Sequence, residues 1–276
     1  MSVKLSDTML GILSDLRYEP TLKRVRGDLG ETTVIDTRRA LLVWEPKRVT
    51  PIFAVPEEDL RAELSAAMSG HEAGEEYPVA IMLEGPPVLD PRTPFSRHTT
   101  TGTPLTITAA GAVLPGAAFR PDDPALAGYV LLDFDSLSWR EDDESIIGHP
   151  RDPFHRIDIR DSADRITVQM DGITLADTSR AAVLYETLLP PRLYIPPEDV
   201  RFDALEPSAT TTVCPYKGQA NYFSYPGSPK GKDVAWQYDS RFPDATQIHG
   251  LVCFFNERVD VLVNGEPQPK PVTPWS

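Results

Sequence analysis

Polar and apolar residues alternate in short runs along this chain, most clearly in its second half. His155-Arg-Ile-Asp-Ile-Arg160 and Arg165-Ile-Thr-Val-Gln-Met170 each place apolar side chains on one face and polar ones on the other, as strands with one wet face do. Asp171-Gly172 then predicts a hairpin turn, because a type I′ turn needs positive φ, which glycine supplies without steric cost. Further strands are expected over Ile173 to Ala176, Ala181 to Tyr185, Leu193 to Ile195, Val200 to Asp203, Thr210 to Val213, Ala220 to Tyr225, Val234 to Tyr238, Leu251 to Phe255 and Val259 to Val263. In the first half the same reading gives Thr32 to Ile35, Ala40 to Trp44, Val79 to Leu83, Leu105 to Thr108 and Gly128 to Phe134. One stretch departs from the pattern: between Glu57 and Glu76, Leu60, Leu64, Ala67 and Met68 recur at helical spacing and predict a short helix. Pro190-Pro191 and Pro196-Pro197 cannot donate ladder hydrogen bonds, so the Leu193 strand is expected at a sheet edge or crossing between sheets.

The strand pattern is written twice. Asp36-Thr-Arg-Arg-Ala-Leu-Leu-Val-Trp-Glu45 is echoed by Asp177-Thr-Ser-Arg-Ala-Ala-Val-Leu-Tyr-Glu186, and Val55-Pro-Glu-Glu-Asp-Leu60 by Ile195-Pro-Pro-Glu-Asp-Val200, the offset drifting by a single residue. A tandem duplication follows, with 1–145 as a diverged first copy, 146–264 as the second and 265–276 as an extended tail. The tail is expected to lie on the other domain, anchored by Trp275. The acidic stretch from Glu141-Asp-Asp-Glu144 to Asp152-Pro153 suits an exposed linker between the copies.

Composition narrows the function classes. A chain of 276 residues can bury two cores, and 28 prolines among 17 glycines and short β-branched runs suit many short strands, hence an all-β fold. A net charge of −14 disfavours nucleic-acid and anionic-membrane partners, which such a surface repels. No apolar run reaches membrane-spanning length and the N-terminus has no signal-peptide core, so a cytoplasmic protein is expected. In that compartment Cys214 and Cys253 are free thiols by default, and without Cys-x-x-Cys or His-x-x-x-His no metal site is assigned. No residue pattern specifies a cofactor.

The copies part company after the shared run, so special chemistry is expected in the second. Cys214-Pro-Tyr-Lys-Gly218 meets only His98-Thr-Thr-Thr-Gly102 at the nearest comparable place in the first copy. A nucleophilic thiolate gains from a nearby cation, and a turn at Pro215 would bring Lys217 to Cys214, whereas an extended run would hold them on opposite faces. A buried small hydrophobe at a strand end is the competing reading of Cys214, and core is the reading of Cys253. Glu186 ends an apolar strand, where burial suits it to proton transfer, with Asp199 as a second candidate carboxylate. Arg180 offers a planar fork to an anionic ligand. Asp36, Arg39 and Glu45 nevertheless repeat Asp177, Arg180 and Glu186, which favours a shared turn-stabilising ion pair. Tyr185, Tyr194, Tyr216, Tyr222, Trp236 and Tyr238 would line a flat-walled pocket if they converge and an ordinary sandwich core if they do not. Asp133-Phe-Asp135 reads as a wet strand face. Gly227-Ser-Pro-Lys-Gly-Lys232 lacks phosphate-loop spacing and reads as a hairpin tip.

The run Leu188-Leu-Pro-Pro-Arg-Leu-Tyr-Ile-Pro-Pro-Glu-Asp-Val200, with Leu205-Glu-Pro-Ser208, Thr212-Val-Cys-Pro-Tyr-Lys-Gly218, Asn221-Tyr222 and Val234-Ala-Trp236, resembles the bacterial family called domain of unknown function 427. That family also carries a nucleotidyltransferase-like name, and the resemblance covers about Asp152 to Val263. It implies tandem β-tent domains, each of two antiparallel sheets, although this chain lacks the four zinc cysteines of some β-tent relatives. The nucleotidyltransferase label implies a Gly-Ser pair upstream of metal-binding carboxylates, an order these residues do not follow. The leading expectation is a small-molecule site in the second domain, with Cys214, Lys217 and Glu186 as catalytic candidates. Arg180, Tyr194, Tyr216, Tyr222, Trp236 and Tyr238 are its ligand-binding candidates. A thiol enzyme and an interaction module using the Leu193 edge strand are the alternatives.

Overall fold

The computed structural model describes residues 2–67, 79–80, 87–239, 242–273 and 275–276. Contacts divide the chain into two compact units, one of Met1–Val79 with Pro86–Asp152 and another whose bulk is Pro153–Ser276. After helix α1 (Leu5–Gly11), the chain forms β1 (Arg17–Pro20), β2 (Val25–Leu29), β3 (Thr32–Thr37), β4 (Leu41–Trp44), β5 (Ile52–Pro56) and β6 (Glu63–Ala66). The short strands β7 (Val79–Ala80) and β8 (Pro87–Val88) pair with each other, and β9 (Gly102–Ala109), β10 (Ala112–Pro121), β11 (Tyr129–Leu132), β12 (Ser138–Glu141) and β13 (Glu144–Ile146) follow. The second unit contains β14 (Ile157–Ser162), β15 (Ile166–Met170), β16 (Ile173–Thr178), β17 (Ala181–Glu186), β18 (Arg192–Ile195) and β19 (Glu206–Cys214). It continues through β20 (Gly218–Ser224), β21 (Ala235–Tyr238), β22 (Val252–Phe254), β23 (Asp260–Val263) and β24 (Glu266–Pro267).

One topology is used twice. The first unit has a seven-stranded sheet in the order β1-β4-β5-β11-β10-β9-β6 and a four-stranded sheet β13-β12-β2-β3; the second has β14-β17-β18-β22-β21-β20-β19 and β16-β15-β23-β24. Strand for strand the sheets correspond, all antiparallel, as expected of tandem β-tent domains. Each unit buries a core drawn from both its sheets: Val25, Ile35, Phe53, Val55, Val130 and Trp139 in the first; Ile166, Val168, Ile195, Val252, Phe254 and Val261 in the second. The far face of each seven-stranded sheet carries a further cluster, and there the two units differ in chemistry.

The hairpin between β15 and β16 turns at Asp171 and Gly172, with φ of 50° and 78°. A Cβ at Gly172 would meet nothing within 4 Å, so Gly172→Ala is opposed by backbone conformation alone. We expect it to lower stability by about 1 kcal/mol in urea unfolding.

Several local expectations give way to tertiary pairing. The helix expected between Glu57 and Glu76 is not formed over its described part: Glu57–Asp59 is a 3-10 turn and Glu63–Ala66 pairs with β9, where Leu64 meets Ile107. Sheet pairing satisfies that backbone while still packing Leu64 on the core. Met68 and the rest of that stretch lie outside the described residues, as do Ile81 to Leu83 of the expected Val79 strand. The Leu193 strand is no edge: β18 lies between β17 and β22, and its prolines sit just outside the paired residues. Val200 to Asp203 is not a strand but a single bridge at Val200 between 3-10 turns at Pro197–Asp199 and Phe202–Ala204. Asp133 caps a 3-10 turn, accepting from the Asp135 amide and the Ser136 hydroxyl, rather than lining a wet strand face. Glu141 to Glu144 closes the β12–β13 hairpin instead of forming a linker. Trp275 packs against the second unit's own outer cluster.

Candidate functional site

Two of the three repeated ion-pair residues are structural in both units. Arg165 Nε and NH2 donate to Asp177 at 3.0 and 2.6 Å, and Arg24 makes the same fork to Asp36 at 2.7 and 2.6 Å. Thr178 Oγ1 donates to Asp199 at 2.6 Å, as Thr37 does to Asp59, and Arg180 and Arg39 bind those same aspartates. Arg180, Asp177 and Asp199 line an open surface cleft of about 250 Å³. Arg180 precedes β17 and Glu186 ends it, so the two are about 20 Å apart at the strand rise. Arg180 and Asp199 are thus bound to each other, with Arg180 at the far end of β17 from Glu186.

The outer faces differ along a single cross-strand row. In the first unit it reads Leu41, Ala54, Leu131, Phe119, Pro104; in the second, Ala182, Tyr194, Cys253, Trp236, Tyr222. One row beyond, Ile52 corresponds to Arg192, because each lies opposite the matching β4 or β17 residue, Val43 or Leu184. The inner cores are thus alike, while the second outer face carries polar aromatic side chains where the first is mostly aliphatic.

At one end of that face lies a buried charged cluster. β19 ends at Cys214 and β20 begins at its ladder partner Gly218, so Pro215-Tyr216-Lys217 forms the closing loop, with Gly218 at φ 92°. The loop turns Lys217 inward, where its Nζ donates to Glu186 Oε1 at 2.5 Å. His155 Nε2 donates to the same Glu186 oxygen at 2.8 Å, and the Tyr216 ring stacks on the His155 ring at 4.5 Å. The Glu186 and Lys217 side chains are 7% and 9% exposed, whereas Cys214 is half-buried. Burial alone would push the Glu186 carboxyl up, but Lys217 and His155 outweigh it and hold it down at about 2. Burial likewise opposes the Lys217 charge, and Glu186 overcomes it, raising Lys217 above the ordinary lysine range. The pair is therefore ionic, an anion and a cation fixed in a dry wall.

Around this pair the aromatic residues close ranks. Trp236 Nε1 donates to the buried Tyr194 hydroxyl at 3.3 Å, and Trp236 packs on Phe255 at 4.5 Å between ring centres. Burial pushes the Tyr194 and Tyr238 hydroxyls well above their usual range; Cys253 adds to the effect at Tyr194, and Tyr194, Cys214 and Glu186 add to it at Tyr238. Burial also pushes the Cys253 thiol up to about 12, which leaves it inert. Tyr222 is half-buried and exchanges a 3.0 Å hydrogen bond with exposed Thr212. Tyr185 is 46% exposed and does not join the cluster. Cys214, Thr212 and Tyr222 thus form the accessible edge, with Glu186, Lys217, Tyr194, Trp236 and Tyr238 as its buried wall.

Glu45 is the first unit's version of Glu186. It is fully buried and accepts from His98 Nδ1 and the Thr99 amide, each at 3.1 Å, with Arg48 Nε at 3.3 Å. The repeated glutamate is thus buried in both units, but the first encloses it without a sulfur.

A second buried pair went unread in the sequence. Arg192 donates to both Glu257 oxygens at 2.7 Å, the side chains being 8% and 0% exposed. Its guanidinium sits 5.6 Å from the Trp236 ring centre and 5.7 Å from those of Phe255 and Trp275, which suits stacking on a weakly hydrated cation. Thr273 Oγ1 donates to Glu257 at 2.5 Å, pinning the C-terminal segment to this pair. His155 also went unread, because nothing in its strand pattern distinguishes a wet-face histidine from a partner of a carboxylate 31 residues on. Among the described residues, no group of three or more His, Cys, Asp and Glu is arranged to hold a metal.

Of the expected site, then, Cys214, Lys217, Glu186, Tyr194, Tyr216, Tyr222, Trp236 and Tyr238 converge on one face and one edge, and Arg180 does not. The fold is all-β, with four antiparallel sheets in two groups, and the charged and aromatic cluster lies in the second group. Residues 158–265, inside that domain, match the family described as a domain of unknown function, DUF427. No curated protein matches the chain.

Proposed function

We propose that the second domain binds a small molecule at the edge formed by Cys214, Thr212 and Tyr222, and that the Cys214 thiol engages it. The observation that carries this reading is the loop after half-buried Cys214, which sets Lys217 inward as a buried ammonium bound to Glu186. Glu186 fixes that ammonium in place, and His155 keeps Glu186 ionised. The polar-aromatic wall supports a ring-bearing ligand stacked against Tyr222. We place the protein in the reducing cytoplasm, where both cysteines stay thiols. No helix among the described residues is long and apolar enough to cross a membrane.

The test is adduct formation with a small disulfide such as oxidised glutathione, followed by intact mass and peptide mapping. Attack by Cys214 breaks the disulfide, leaving one half on Cys214 and releasing the other as thiol. We expect a single adduct on Cys214 in the native protein and none in Cys214→Ser. An unmodified protein, or an adduct on Cys253 instead, would overturn the reading.

A further inference from the structure

We propose that the Trp275 indole is a built-in occupant of a ring subsite on the second unit's outer face, and that a planar aromatic ligand binds there by displacing it. The inference rests on the reading above that the polar-aromatic wall takes a ring, and adds where that ring goes and what it must move. The wall leads from the accessible edge to Trp275. Tyr222 at the edge lies 6.4 Å from Phe255, with the two rings 19° from parallel, and Trp236 packs on Phe255 at 4.5 Å. The Arg192 guanidinium then stands 5.7 Å from both the Phe255 and the Trp275 ring centres. Trp236 and Phe255 are buried, with Trp275 packed on their cluster. An indole is therefore already seated beside two aromatic rings and a guanidinium, surroundings that hold a flat, electron-rich ring. Arg192 donates to both Glu257 oxygens at 2.7 Å, so its charge is matched, and the subsite selects a ring face rather than a carboxylate or phosphate.

The two outer faces are closed in different ways. In the first unit a ring also covers the face: His98 stacks on Phe119, the counterpart of Trp236, at 3.6 Å between ring centres. That cover is locked. His98 and the Thr99 amide bond Glu45, and Arg48 donates to the carbonyls of Thr93, Pro94 and Arg97. In the second unit the bonds of the covering turn fold back on the turn itself. The Thr273 amide donates to the Ser276 hydroxyl, the Ser276 amide to the Thr273 carbonyl, and the Trp275 amide to Thr273 Oγ1. Among the described residues, the Thr273 hydroxyl on Glu257, at 2.5 Å, is the hydrogen bond that ties this turn to the sheet. The chain leading into it is held at Lys270, which pairs with Asp260 at 2.9 Å, and Val272 beyond is exposed. A turn held by one side-chain bond and ring packing opens locally, while the first unit's cover moves only by breaking its whole set of bonds.

Displacement has a thermodynamic signature. The ligand's apparent affinity is its intrinsic affinity reduced by the fraction of molecules in which the subsite is vacant, so removing the Trp275 ring tightens binding by the inverse of that fraction.

Indole itself is the probe, titrated by calorimetry into the native full chain, Trp275→Ala and Thr273→Val. We expect Trp275→Ala to bind indole at least about tenfold tighter than native. Thr273→Val keeps the ring but loses the tie to Glu257, and its affinity should fall between the two. In the native protein, saturating indole should quicken hydrogen exchange at the Trp275 and Ser276 amides, because ligand and turn exclude each other. Equal affinity in native and Trp275→Ala, no binding to Trp275→Ala, or binding to the native chain that leaves those amides protected would each overturn the subsite. The thiol reading is read separately. A Cys214 adduct with glutathione disulfide alongside any of those outcomes leaves it standing, and no adduct alongside the predicted indole series strikes the thiol and leaves the ring subsite.

Discussion

Lys217→Met is expected to destabilise the second domain by about 3–5 kcal/mol, read as a lower urea midpoint at unchanged slope. The cost comes from what remains: a Glu186 carboxylate 7% exposed, with His155 as its nearest remaining charge partner. Adding Glu186→Gln removes the stranded anion, so the double variant should be more stable than Lys217→Met alone. The same pair sets an acid limit. Glu186 is held below its unfolded range, so its contribution is complete above the ordinary carboxyl value near 4.5 and is lost as pH falls toward about 2. Over that interval it carries roughly 3 kcal/mol of linked stability, of which Lys217→Met should abolish most. A midpoint for Lys217→Met within a few tenths of a kcal/mol of native would show that the pair is not a buried unit.

Arg192→Met is the second large effect, again about 3–5 kcal/mol, because it removes the guanidinium that binds both oxygens of the fully buried Glu257 and leaves the Thr273 hydroxyl donating to it. This loss has its own signature. The Arg192 cation holds Trp236, Phe255 and Trp275 around it, and Glu257 holds Thr273, so losing Arg192 should release the C-terminal segment. Hydrogen exchange should quicken at Trp275 and Ser276, whose amides are bonded to Thr273, before the sheet unfolds. Pairing the substitution with Glu257→Gln should recover stability without re-anchoring Trp275. If the C-terminal amides stay protected in Arg192→Met, the segment is held by Trp275 packing rather than by the ion pair.

What the sequence made legible follows the range of the interactions. The Asp171-Gly172 turn and the β15 and β16 alternation are local, and each is found where the residues place it. The Cys214-Pro-Tyr-Lys-Gly218 segment was legible as a difference between copies, but whether its loop would turn Lys217 toward Glu186 was not. Sheet order was not: Leu193 flanked by prolines looks like an edge until Cys253, some sixty residues on, pairs with Tyr194. His155 and the Arg192–Glu257 pair were hidden for the same reason, their partners being distant in sequence. Leu60 and Leu64 satisfied helical and strand spacing equally, and the β9 ladder decided between them.

The central claim is that the Lys217-bearing loop presents Cys214 as the chain's reactive thiol, and the most direct measurement is the native alkylation rate of each cysteine with iodoacetamide, read by peptide mass. A thiol raised to about 12, like Cys253, holds on the order of a thousandfold less thiolate at neutral pH than an ordinary cysteine, and burial slows it further. Cys214 labelling at least about 100-fold faster than Cys253, and slowing in a Lys217→Met/Glu186→Gln double variant, is the predicted result. Equal and slow labelling of both cysteines, or a Cys214 rate indifferent to Lys217, would contradict it.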